Sequence, residues 1–261
     1  MSSGMAFDEE TSRNIEALYT IPDMGRRRKE IIRIADPKVG ESVIDVGIGP
    51  GFVTSEIAAI AGPSGHVLGI DSSDVMLSMA RRRTQDKPWV EVKKGDATSL
   101  PAGENQFDLA IATQVLEYVP VVEGALRELY RVLRPGGRAL VLDTDFKTLV
   151  WNSSDATFMD RIMNAFDEHC LHPNIGRTLG AELQKTGFRV ELTEVFTILD
   201  TVLGPGRFSY STIKLVEKFV PGRRGLTSED LAKWKKDLED MNQRGEYFFS
   251  LNQYIFLARK D

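Results

Sequence analysis

The residues most able to do chemistry here are acids placed around a glycine-rich turn. Asp45-Val46-Gly47-Ile48-Gly49-Pro50-Gly51 follows the β-branched pair Val43-Ile44 and precedes an apolar-periodic stretch, Phe52–Ala61. Strand, glycine turn and helix in that order form the opening unit of a nucleotide-binding α/β domain. Glycine lets the backbone turn sharply and lie against a ligand, because no Cβ intrudes. The spacing is near the dinucleotide fingerprint G-x-G-x-x-G. Phe52, however, holds the third glycine's place, and the last glycine comes one residue early. Asp71 ends a second apolar run, His66–Asp71, twenty residues beyond Gly51. A carboxylate there can accept from both hydroxyls of a ribose. Asp96, with Ala97 behind it, follows a third strand and can accept from an adenine amino group while the next N–H donates to a ring nitrogen. Met76, one turn into the next helix, lies on that adenine or in the core.

A second group sits further along: Asp143, Asp145, Trp151, His169, His172, Asn174 and Arg177. His169 and His172, at i and i+3, share a helix face toward a cleft and offer a base or a hydrogen-bonding group. No third ligand accompanies them, so no metal is assigned. Asp143 and Asp145 at a strand end either hold an amine-bearing substrate, or cap a helix and pair with Arg177. The catalytic candidates are Asp145, His169 and His172.

These residues need rigid elements to hold them. Helical patterns over 8–35 precede the first strand, broken or restarted at Pro22 and stopped at Asp36-Pro37. Strands are expected over 43–46, 66–71, 90–92, 107–112 and 139–143. Helices fall between them over 52–61, 75–83 and 122–133, with a short one over 115–119. This alternation predicts a parallel, doubly wound sheet. Residues 144–186 read as mostly helical with loops, ending in a helix over 179–186 stopped by Gly187. A strand over 189–196 follows, then a loop-rich stretch with helices over 213–220 and 228–241. Thr227 and Asp230 form a capping-box-like start to the last of these. A final strand covers 247–258.

The 261 residues are 42% hydrophobic and 27% charged, which suits one large domain with an ample core. The net charge of -5 gives no general attraction to nucleic acid or anionic membrane. The basic runs Arg26-Arg27-Arg28-Lys29 and Arg81-Arg82-Arg83 read as solvated helix faces. Cys170 is the sole cysteine, so there is no internal disulfide and no cysteine zinc cluster. The polar, acidic first ten residues read as neither a secretory signal nor a presequence, and no run of about twenty apolar residues appears. The expected location is cytoplasmic.

The motifs also occur in a family order: Asp45-x-Gly47-x-Gly49-x-Gly51, Gly69-Ile70-Asp71, Gly95-Asp96-Ala97, Phe107-Asp108, and Arg131-Val132-Leu133-Arg134-Pro135-Gly136-Gly137. Together they resemble the small-molecule class I methyltransferases dependent on S-adenosyl-L-methionine (SAM), the group that includes ubiquinone/menaquinone C-methyltransferases. The resemblance is strong over about 40–145 and looser in the closing strand pair. It implies a Rossmann-like seven-stranded sheet whose last strand is antiparallel, with the helices over 1–38 as a cap and 198–244 as a helical lid inserted into a single domain. The rest of the core is 39–197 and 245–261. It also implies that Asp45, Gly47, Gly49 and Gly51 line the methionine end of SAM, with Asp71 on the ribose. Asp96 and Ala97 hold the adenine, Thr113 and Gln114 close over the amino-acid end, and Tyr19 and Arg28 reach the carboxylate.

The chain departs from the pattern in places. Tyr118 stands where many relatives carry a histidine after the fourth strand. The Asn/Asp-Pro-Pro-Tyr motif of enzymes that methylate nucleobase amines is absent, which counts against nucleic acid as substrate. One cysteine does not supply what arsenite methyltransferases use. The expected function is methyl transfer from SAM to an oxygen, nitrogen, sulfur or carbon nucleophile of a small metabolite. The alternatives are a SAM-binding regulator without catalysis and a nicotinamide oxidoreductase.

Overall fold

The protein is described here by a computed structural model covering residues 14 and 16–261. The helical start expected over 8–13, and Ile15, lie outside those described residues. Five strands run parallel: β1 (Ser42–Val46), β2 (His66–Asp71), β3 (Val90–Lys94), β4 (Phe107–Thr113) and β5 (Leu133–Trp151). Two more complete the sheet, β6 (Arg189–Asp200) and β7 (Phe249–Arg259), in the order β3-β2-β1-β4-β5-β7-β6. β7 is antiparallel to both of its neighbours.

The period of two along each strand sorts side chains into two cores. Leu109 and Ile111 of β4, with Val43, Leu140 and Leu142, face α1 (Pro22–Ala35) and α2 (Phe52–Ala61). Ala110 and Ala112, with Ile44, Val46, Ala139 and Val141, face α4 (Val122–Val132) and α6 (Ile175–Lys185). α3 (Asp74–Arg83) starts from Ser73, whose side chain accepts from the Met76 N–H. Pro22 restarts the helix, as expected: the helical residues 16–19 end in a turn over 20–21, and Pro22 begins α1 at a position where its missing N–H is no loss.

The largest departure from expectation lies after residue 143. Residues 144–151 continue β5 as strand, paired with β7 across an irregularity between Asp145 and Val150. Asp143, Thr144 and Asp145 are all fully buried, so neither alternation nor apolar character marks the extension. α5 (Ala156–Phe166) and α6 follow. α7 (Phe208–Phe219) starts five residues before the expected 213 because its cap is remote: Asp200 Oδ2 accepts from the Ser209 N–H at 2.9 Å. α8 (Ser228–Gln243) opens on a complete Thr227–Asp230 capping box. Its Trp234, 1% exposed, meets Trp151 of β5 nearly edge-on at 5.2 Å.

Residues of α7 and α8 thus share one apolar cluster with α1 and α2. Trp234→Ala is expected to lower stability by about 3–5 kcal/mol, read by urea unfolding. A loss below about 1 kcal/mol would show that α8 lies outside the cooperative core.

Candidate active site

A cavity of about 300 Å³ opens at the carboxyl ends of β1, β2 and β4. Its floor on one side is the glycine turn. Gly47 and Gly49 line it, with φ of +73° and +52°, a region L side chains rarely adopt. A Cβ on Gly47 would lie 2.2 Å from Val115 Cγ2, whereas one on Gly49 would make only an ordinary contact, 3.9 Å from the Gly47 carbonyl oxygen. Asp71 ties this turn to β2: its Oδ2 accepts from the Gly49 N–H and its Oδ1 from the Ser73 N–H, each at 2.9 Å. Met76, Asp96, Ala97 and Thr113 continue the lining. Asp96 Oδ1 is held by the Thr98 N–H and hydroxyl, at 2.7 and 2.6 Å, which keeps this carboxyl below its ordinary pKa.

Two members of the glycine motif stand apart from the cavity lining. Asp45 lies beneath the turn, 2% exposed, accepting from the Thr54 hydroxyl. Burial pushes its carboxyl up to about 7; the Thr54 bond opposes this and the Asp71 charge adds to it. Gly51 serves packing, since a Cβ there would meet the Ala80 backbone of α3 at 2.9 Å.

The chain before β1 closes one side. Tyr19 lines the cavity and stacks on Phe52, 5.9 Å between centroids. Arg28, expected beside Tyr19 in the site, turns away from it. Its Nε donates to Glu56 and its Nη1 to the Tyr19 carbonyl, both at 2.7 Å. The neighbour Arg27 takes the inward position, and it is 0% exposed. Arg27 Nη1 donates to Gln114 Oε1 and, at 3.3 Å, to Gln253 Oε1, while Nε and Nη2 have no partner. The expected solvated face is thus corrected at Arg27. Arg83 of the second basic run is likewise engaged, over the Phe52 ring at 3.5 Å and on Glu16 at 2.8 Å. Gln114 itself holds φ of +56°, an uncommon conformation for a side-chain-bearing residue and one that clusters at functional sites.

The far side is built from the turn after β4 and from the chain between β5 and β6. Glu117 and Tyr118 line the cavity with Phe146, Leu149, Phe166 and His169, and α7 adds Phe208, Thr212 and Leu215. Glu117, 1% exposed, accepts the Thr144 N–H on Oε2 at 3.3 Å, and its Oε1 has no partner. Burial pushes this carboxyl up to about 7, against the Thr144 and Tyr118 hydrogen bonds and the Arg27 charge. Behind it, burial and the Glu117 charge push Asp143 well above the ordinary carboxyl range. His169 stacks on Phe166 at 4.2 Å, and its Nδ1 lies 2.6 Å from the Phe166 carbonyl. Burial lowers its pKa to about 4, so the ring is neutral at pH 7.

The expected trio of Asp145, His169 and His172 is not assembled. Only His169 faces the cavity. Asp145 is fully buried in a two-pronged pair with Arg177, at 2.5 and 2.9 Å, which is the pairing alternative. His172 and His169 do not share a helix face. His172 instead clasps the loop to the β4 turn: its Nε2 lies 3.0 Å from the Val119 carbonyl, and its N–H reaches the Glu117 carbonyl at 3.1 Å. That clasp ties the loop after His169 to the turn that carries Glu117, and both residues line the cavity. Among the described residues no group of three or more His, Cys, Asp or Glu could hold a metal ion. Also among them, no helix is long and apolar enough to cross a membrane.

Sequence reasoning missed Arg27 and Glu117. Both carried a signal. Arg27 falls in phase with Met24, Ile31 and Ile34, the buried stripe of α1. Glu117 is a lone acid in the apolar run Val115-Leu116-Glu117-Tyr118-Val119.

Known proteins point the same way as this geometry. Residues 44–141 match the family model described as a methyltransferase domain. An uncharacterized 37.1 kDa protein in transposon TN4556 of Streptomyces fradiae is 35% identical over 217 residues, covering 77% of this chain and 62% of that protein. The demethylmenaquinone methyltransferase of Staphylococcus carnosus is 34% identical over 122 residues, 47% of this chain and 51% of that one. The chain therefore spans between about half and three-fifths of these curated relatives' lengths. A solved structure from Bacillus halodurans C-125, described as a methyltransferase, superposes with a TM-score of 0.66 at 21% identity, over 89% of this chain and 98% of that one. Residues 44–141 thus carry a methyltransferase domain, within a fold of the class I, SAM-dependent type. S-adenosyl-L-methionine is the cofactor of that class. The nicotinamide alternative falls away.

Asp45 gives the site a pH signature. Its pKa is raised in the folded state, so its stabilising effect is full below the unfolded value near 4 and is lost as pH rises through about 7. Asp45→Asn, which stays neutral and keeps an oxygen for Thr54, should gain stability relative to the parent protein as pH rises from about 4.5 to 7.5. Urea unfolding across that range checks the sign. A constant difference would show that Asp45 does not titrate there.

Proposed function

We propose that this protein is a methyltransferase that moves the methyl group of SAM to a small molecule with an apolar body, in the cytoplasm. One observation carries the reading. A single cavity runs from Asp71, Met76 and Asp96, suited to a nucleoside, to the aromatic wall of Phe146, Phe166 and Phe208. The demethylmenaquinone methyltransferases among the relatives support an apolar acceptor. A net charge of -5 and a cavity lining without Lys or Arg among the described residues support no role for nucleic acid.

In this reading Asp71 holds the ribose, Asp96 and Ala97 the adenine edge, and Met76 the adenine face. Gly47, Gly49, Thr113, Gln114 and Tyr19 surround the amino-acid end. Arg27 replaces Arg28 at the carboxylate, because Arg27 brings two buried, unpartnered donors to the Gln114 corner. The segment 198–244 acts as a lid through Phe208, Thr212 and Leu215. SAM supplies an activated sulfonium methyl. What remains for the chain is alignment and exclusion of water, which the buried aromatic wall serves.

Calorimetric titration with S-adenosylhomocysteine tests this. One-to-one binding with a dissociation constant roughly in the micromolar range is expected. Asp71→Ala and Arg27→Met should each weaken it by about 10- to 100-fold, as expected for lost hydrogen bonds to a charged or buried partner. No binding, or a preference for NADH, would overturn the reading. Binding with no turnover of any acceptor would favour the non-catalytic alternative.

A further inference from the structure

The acceptor half of the cavity offers hydrogen-bond acceptors and almost nothing else polar. Glu117 presents Oε1 without a partner. His169 has its Nδ1 on the Phe166 carbonyl, an acceptor, so that nitrogen carries the proton and Nε2 keeps its lone pair. The hydroxyl of Thr212 is already donated to the Phe208 carbonyl at 3.0 Å, and that of Tyr118 bonds Glu117. Among the described residues no Lys or Arg lines the cavity. The surrounding wall is Phe146, Leu149, Phe166, Phe208 and Leu215. The segments that carry the two acceptors are tied through the backbone: the N–H groups of Leu171 and His172 donate to the Glu117 carbonyl at 2.8 and 3.1 Å. A ligand that completes such a wall must donate protons, carry no negative charge and present an apolar body.

We propose that Glu117 is the catalytic proton acceptor and His169 Nε2 the second substrate-binding acceptor, for an uncharged, hydroxyl-bearing molecule with an apolar body. The inference rests on the methyltransferase reading above and deepens its acceptor site. In the step, the hydroxyl oxygen forms a bond to the methyl carbon as the carbon–sulfur bond breaks. The bonding pair stays on sulfur, giving the neutral thioether. The hydroxyl proton passes to the Glu117 carboxylate, so the ether leaves uncharged. Glu117 suits this task by position, since it lines the cavity on the side of the aromatic wall. The unpartnered Oε1 gives the hydroxyl a defined place, and the raised pKa of the carboxyl favours taking its proton.

The test uses 2-naphthol and 2-naphthoate, which share one apolar body and differ in the polar group. Protein saturated with S-adenosylhomocysteine is titrated with each, and methyl naphthyl ether formed from SAM and 2-naphthol is measured. The naphthol should bind at least about 10-fold more tightly than the carboxylate, since the latter meets two acceptors and no donor. The ether should form. Glu117→Gln should keep S-adenosylhomocysteine affinity within about twofold while lowering kcat by about 10²-fold or more, the usual worth of a general base. His169→Phe, a second variant, should weaken binding of naphthalene-2,3-diol, whose second hydroxyl donates to Nε2, by about 10-fold, as one lost hydrogen bond would, and should leave 2-naphthol binding within about twofold. Tighter or equal binding of 2-naphthoate overturns the proposal. So does 2-naphthol that fails to bind or binds without giving ether, or an unchanged kcat in Glu117→Gln. Failure of S-adenosylhomocysteine to bind the parent protein would instead sink the broader methyltransferase reading.

Discussion

Three ionisable side chains, Arg27, Glu117 and Asp143, leave water together beneath the cavity, and much else follows from how their charges are balanced. Removing a charge from water costs several kcal/mol unless it is paired and hydrogen-bonded. Here the Arg27 charge favours ionised Glu117, while Asp143 is held toward its neutral form. Thr144, Gln114 and Gln253 connect them, with Thr144 Oγ1 accepting from Gln253 at 3.0 Å and from Gln114 at 3.2 Å. The network draws on α1, the turn after β4, β5 and β7. It therefore fixes where the cap meets the sheet. It also remains incomplete, with open donors at Arg27 and open acceptors at Glu117 and Asp143. Buried groups of that kind are rare in native proteins and mark places where a ligand or water completes the bonding.

A separate device holds the chain ahead of the first strand. Phe52, whose ring replaces a glycine of the dinucleotide pattern, is covered by Tyr19 on one contact and by Arg28 and Arg83 on others. The chain ahead of the first strand is thereby fastened over the glycine turn. The departure from the commoner fingerprint and the presence of a cap are two parts of one arrangement.

The sheet was legible in the sequence wherever periodicity and turn chemistry agreed. The strands ending at Asp45-Val46 and Asp71, the helix from Phe52 and the capping box at Thr227 all follow from local rules. The cavity-lining positions Gly47, Gly49, Asp71, Asp96 and Thr113 were readable because they sit at strand ends, where chain order and space coincide. The opposite wall was not. Asp143-Thr144-Asp145 looks like the end of a strand because its burial is stabilised by partners up to 109 residues away, such as Gln253. The histidines seemed paired by spacing alone, yet the short helical turn Asp167–His169 ends between them and aims them apart. Arg27 hid inside a basic run whose charge outweighed its helical phase.

The position of β7 has a consequence for how the protein is made. It inserts between β5 and β6, and its Leu251 lines the cavity while its Gln253 closes the charge network. During synthesis, segments that emerge first begin to fold first. The glycine turn and its strands can therefore be complete while the charge network beneath them still lacks a member and β6 has no partner in the sheet. On the ribosome, the cavity is complete only when β7 threads into its slot between β5 and β6. A finished cavity thus reports that β7 has been built and has folded.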